Sequence, residues 1–89
     1  MKEPTIRQIR YFIAVANSGQ ISRAAVDLNV SQSAVTTAVK QLEEIVGAQL
    51  FQRHPGGLSL TYEGSIFLDH ARRVLAAVDE AVRSPSRAR

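Results

Sequence analysis

Gln32, Ser33, Thr36 and Thr37 are the residues of this chain whose types and spacing suit one definite chemistry. They belong to the segment Ser31-Gln32-Ser33-Ala34-Val35-Thr36-Thr37, where positions three and four apart share one side of a helix. A glutamine amide can bond adenine at two positions, and a threonine can donate, accept or set its methyl against thymine. A helix that enters the major groove of a duplex needs such groups in its first turn. It must also keep carboxylates away from the phosphates, while its own N-terminal amides favour an anion. From the pattern alone, the wet side of an ordinary amphipathic helix accounts for the same four residues equally well.

Cationic and polar neighbours shift that balance. Lys40 continues the polar face, Ser31 opens it, Arg23 lies in the segment before it, and Arg53 and His54 lie in a run that follows. These five are the candidates for contact with a phosphate backbone. The formal charge is +3, from 11 basic and 8 acidic residues, which by itself points only faintly to a polyanionic partner. Its distribution says more, since residues 1 to 42 hold Lys2, Arg7, Arg10, Arg23 and Lys40 against Glu3 and Asp27 alone.

The elements that must position these residues are mainly helical. Ile6, Ile9, Phe12, Ile13 and Ala16 recur at helical spacing, with Thr5 as N-cap and Gly19 at the end. Ile21, Ala24, Ala25 and Leu28 predict a shorter helix whose two alanines allow close approach of a neighbour. Asn29 tolerates the positive φ of a tight turn, and Val30 can plug the corner. A third helix starts at the N-cap Ser31, buries Val35, Ala38 or Val39, Leu42 and Val46, and closes at Gly47. Leu50 to His54 and Leu58 to Thr61 read as strands around the Pro55-Gly56-Gly57 turn. A hairpin alone is marginal, so this one must lean on the helices through Leu50, Phe51 and Leu60.

The last segment is the longest. Thr61 caps it and Glu63 sits in its first turn, and an apolar stripe follows that includes Phe67, Leu68, Ala71, Val74, Leu75, Val78 and Val82. From Thr61 to Arg83 it would run about 35 Å, so its far end protrudes and seeks a partner. Phe67, Ala71, Val74, Leu75, Val78 and Val82 are the candidates for pairing with a second copy. Residues 84–89 are expected to be a disordered tail.

Several classes are excluded or disfavoured. There is no cysteine, hence no disulfide and no thiolate metal site. The longest apolar run, Tyr11 to Ala16, falls far short of a bilayer span, and the N-terminus has no signal-like stretch, so a cytoplasmic protein off the membrane is expected. His54 and His70 lack the spaced partners of a metal site or a triad, and Asp69 and His70 point about 100° apart on a helix. No enzyme, no cofactor and no metal are expected. A protein-interaction module built on the last helix is the better rival, and it is compatible with DNA binding.

With these residues in view, the chain resembles the N-terminal DNA-binding domain of the LysR-type bacterial transcriptional regulators. The similarity is carried by Leu28-Asn29-Val30-Ser31-Gln32-Ser33-Ala34-Val35-Thr36, Lys40-Gln41-Leu42-Glu43, Gly47-Ala48-Gln49-Leu50-Phe51-Gln52-Arg53 and Leu60-Thr61-Tyr62-Glu63-Gly64. The resemblance implies a mainly α, winged helix-turn-helix fold, with a three-helix core, a hairpin wing and a long C-terminal linker helix that pairs two subunits. It implies that Gln32, Ser33, Thr36 and Thr37 face the groove and that Arg53 is the wing arginine. Relatives often have proline at the place of Ser33 and a basic residue at that of Thr37. It further implies an effector-binding domain that this chain does not contain, so the chain is read as a fragment.

The expectation is therefore a DNA-binding domain over residues 1–60, a linker and dimerisation helix over 61–83 and a tail over 84–89. Its partners would be double-stranded DNA and a second copy of itself, with a tetramer and a small-molecule effector as features of a longer parent.

Overall fold

A computed structural model describes residues 2–84. The chain folds into α1 (Ile6–Ser18), α2 (Ile21–Leu28), α3 (Gln32–Val46), β1 (Phe51–His54), β2 (Gly57–Leu60) and α4 (Tyr62–Arg83). This is the winged helix-turn-helix arrangement that the sequence predicts.

Local chemistry sets the helix boundaries. Thr5 accepts from the Gln8 amide, while the Gln8 side chain accepts from the Thr5 amide at 2.9 Å, a reciprocal capping box. Ser31 accepts from the Ala34 amide at 3.1 Å, and Thr61 from the Gly64 amide at 2.9 Å. Each cap satisfies a donor that the first helical turn leaves without a partner. Between α2 and α3, Asn29 adopts φ 59°, and the Val30 amide reaches back to the Ala25 carbonyl at 3.0 Å. That closure turns the chain sharply and sets α3 across α2.

The core lies where the three helices, the foot of the wing and the first half of α4 meet. Phe12, Val15, Ala24, Val35, Leu42 and Leu50 are completely buried there. Phe12 is its centre: its ring lies 5.2 Å from that of Phe51 and 5.0 Å, edge-on, from that of Phe67. Such tilted and T-shaped pairs favour the positive ring edge over the negative face. One aromatic cluster therefore joins α1, β1 and α4.

Two expectations need correction. Val46 is 40% exposed and leaves the buried face of α3 to Ala38 and Val39 together, with Ile45 half-buried beyond them. Val46 is the last residue of the helix, and no neighbouring element covers it. Ala71 is 2% exposed and sits inside the chain's own core, which removes it from the pairing surface. Phe67 and Leu75 likewise pack on that core, because the first half of α4 lies along α1. The tail expectation falls on Ser84, whose amide closes α4 on the Glu80 carbonyl, and on 85–89, which lie outside the described residues.

Candidate nucleic-acid interface

The wing is held against the helices by backbone contacts, and this fixes where its side chains go. β1 and β2 pair antiparallel with Phe51 opposite Leu60 and His54 opposite Gly57. Only Pro55 and Gly56 lie between the strands, and proline cannot take the positive φ of the usual two-residue hairpin turns. Gly57 instead takes φ 135°, at a point where a Cβ would collide with the Gly19 carbonyl. That same carbonyl accepts from the Leu58 amide at 2.8 Å, tying β2 to the loop between α1 and α2.

The other strand is tied to α3 and α4. Glu43 accepts from the Leu50 amide at 2.8 Å, a half-buried strut from the recognition-type helix to the start of β1. The Leu50 carbonyl accepts from the Thr61 amide at 3.0 Å, and the Thr61 hydroxyl donates to the Gln49 carbonyl at 2.6 Å. The wing is thus a fixed buttress beside α3.

This frame brings part of the expected site together. Thr36 and Lys40 of α3 share one groove with Gln52 and Arg53 of the wing and with Ile21 and Leu58 beneath them. Glu43 also lines that groove, but its carboxylate is engaged by Leu50. Ser33 and Thr37 lie on the opposite edge of α3, in a second groove shared with α1. Gln32, Ser33, Thr37 and Lys40 are exposed, and Thr36 is half-exposed at the rim. The Ser33 hydroxyl lies 3.1 Å from that of Ser31, so both point away from the core at the helix start.

The remaining candidates are more loosely placed. Arg23 lies 3.4 Å from Asp27 one turn along α2, an exposed pair that a polyanion can compete away at little cost. His54 is exposed at the tip of β1, where its Nδ1 accepts from the Gly56 amide at 3.2 Å. Asp69 and His70 are both engaged by Arg73. Arg73 pairs with Asp69 at 3.0 Å and lies 3.0 Å from the His70 ring, on the exposed side of α4. Among the described residues no cluster of three or more His, Cys, Asp or Glu has metal-binding geometry.

Sequence reading named neither the Glu43 strut nor the contact between α1 and α3. In the latter, the Gln8 side-chain Nε2 donates to the Gln41 Oε1 at 2.9 Å. The threonine and glutamine spaced three apart at Thr5-Ile6-Arg7-Gln8 signal a capping box, and that signal was legible. The cross-helix contact depends on tertiary geometry and left no mark.

Comparison with known proteins places this geometry. A family model described as bacterial regulatory helix-turn-helix protein, lysR family, matches residues 6–65. The HTH-type transcriptional regulator TfdT of Cupriavidus pinatubonensis is 44% identical over 78 residues, covering 88% of this chain and 34% of that protein. The HTH-type transcriptional regulator ClcR of Pseudomonas putida is 48% identical over 82 residues, covering 92% of this chain and 28% of that protein. The chain thus spans about a third or less of the length of these curated relatives. Among solved structures, a CbnR_DBD-DNA complex matches with TM-score 0.84 and 42% identity, over 96% of this chain and 99% of that one. A BenM_DBD/benA site 1 DNA complex matches with TM-score 0.87 and 32% identity, over 93% and 96%.

Proposed function

This chain belongs to the lysR family of bacterial regulatory helix-turn-helix proteins and is a DNA-binding domain of that kind, and we propose that it reads a specific duplex sequence through the first turns of α3. In this reading Gln32 and Thr36 bond base edges in the major groove, and Ser33 and Thr37 assist. Arg53 clamps the backbone from the wing, with Ser31, Lys40, Arg23 and His54 adding backbone contacts. The observation that carries it is the shared groove of Thr36, Lys40 and Arg53, which sets base-reading and phosphate-binding groups on one open surface. The curated relatives are named as transcriptional regulators, not as enzymes.

The second part of the proposal is a homodimer through α4. Val74 is 40% and Val82 76% exposed, and Val78 between them is half-buried, so an apolar row at four-residue spacing remains uncovered. It starts within the stretch that Phe67 and Leu75 anchor and runs to Val82, near the end of a helix that spans about 33 Å over its 22 residues. Two α3 helices would then enter successive major grooves about one helical turn, roughly 34 Å, apart on an inverted repeat. The proposal places this activity in the cytoplasm; no helix among the described residues is long and apolar enough to cross a membrane. A small-molecule effector and a tetramer belong to the proposal only for a longer parent protein.

Titration of a random-sequence duplex over a range of salt tests the electrostatic half of the assignment. Arg53→Ala weakens binding to all duplexes alike and lowers the slope of log affinity against log salt by about 1, as expected for one lost phosphate contact. An unchanged slope would remove Arg53 from the interface.

A further inference from the structure

α3 has two flanks, and the proposed site sets cationic side chains beside only one of them. On the wing side stand Lys40 and Arg53. On the other side an open groove runs between α1 and α3, lined by the cap residue Thr5 and by Arg7 and Tyr11 of the first helix, and by Ser33, Thr37 and Gln41 of the third. The Gln8 to Gln41 hydrogen bond fixes the two helices across this groove. None of the residues that line it is acidic. The α3 side chains along its edge, Ser33 and Thr37, are short, so the one long cationic side chain at the groove is Arg7.

Arg7 is exposed and engaged in nothing else. The ion pairs among the described residues hold Arg10, Arg23, Arg73 and Arg83, and Arg7 takes part in none of them. Arg10, one turn further along α1, lies 3.7 Å from Asp79 of α4. A helix lying in a major groove about 12 Å wide has a phosphate strand on each flank. The wing meets one strand. We propose that Arg7, on the first turn of α1, contacts a phosphate of the other strand, so that Arg7 and Arg53 bracket α3 from opposite sides. The contact is independent of sequence and fixes the depth and tilt at which Gln32 and Thr36 meet the bases.

The proposal rests on the assignment of α3 as the reading helix, and the test separates the two. Intact protein is titrated with a random-sequence duplex over a range of salt, as the wild type, Arg7→Ala, Arg7→Lys, Arg53→Ala and the double variant Arg7→Ala/Arg53→Ala. Arg7→Ala lowers the salt slope by about 1 and the affinity by about fivefold near 0.15 M salt, and the double variant lowers the slope by about 2. Arg7→Lys keeps the wild-type slope because the charge is retained. If Arg7→Ala leaves the slope unchanged while Arg53→Ala lowers it, the Arg7 contact is wrong and the reading helix stands. If Arg7→Lys falls as far as Arg7→Ala, the role is not a phosphate contact, and the proposal is again overturned. A wild type that binds no duplex even at low salt removes both.

Discussion

Phe12→Ala lowers the stability of the domain by about 4 kcal/mol, read as a shift of the urea midpoint at unchanged slope. The ring is completely buried and touches the rings of both Phe51 and Phe67. Its removal opens a cavity at the one point where α1, the wing and α4 meet, and none of the three can close in without losing its other contacts. Leu50 is held through the Glu43 carboxylate and the Thr61 amide, and β2 through the Gly19 carbonyl. A domain of 89 residues has on the order of 4–13 kcal/mol in total, so the substitution removes between roughly a third and nearly all of it. A loss below about 1 kcal/mol would show that the cluster collapses freely and is not the hinge of the fold.

Gly64→Ala has the next largest expected effect, about 3 kcal/mol, at the opposite end of the same seam. Gly64 is buried, and a Cβ there would run into the backbone carbonyl of Leu50. The clash is not relieved by a side-chain movement, because that carbonyl already accepts from Thr61 and the Leu50 amide donates to Glu43. Either α4 lifts from the wing or β1 shifts against α3. For a domain of this size the loss corresponds to a fall in melting temperature of roughly 15 °C. A melting curve that superposes on the wild type would mean that α4 approaches β1 less closely than described.

Much of this frame was legible in the sequence because the signals are local. Thr5, Ser31 and Thr61 announce helix starts, Asn29 the turn before α3, and Pro55 and Gly56 the wing tip; each acts through its own backbone or that of residues three or four away. What sequence could not supply was long-range. Nothing local to Glu43 shows that its carboxylate meets the Leu50 amide, seven residues on. Ala71 and Val74 look alike on a helical stripe, yet one lies in the core and the other is 40% exposed, because only the position of α1 tells the two faces apart. Val46 fits the apolar period of α3 and still lies open, since periodicity does not say where the neighbouring element stops. The polar face from Gln32 to Lys40 was fully visible, but its two flanks were not. Arg53 and Arg7 stand 46 positions apart in sequence and take their places beside α3 only through the wing seam and the α1 contact.

We propose that α3 reads sequence, and enrichment of bound duplexes from a random pool, run in parallel with wild type and Gln32→Ala, decides whether it does. The wild type enriches an inverted repeat with half-sites about one helical turn apart. Gln32→Ala loses the base preference at one symmetric pair of positions, with a cost on the wild-type site of about 1–3 kcal/mol. A pool that shows no enriched sequence, or the same sequence with both proteins, would contradict it.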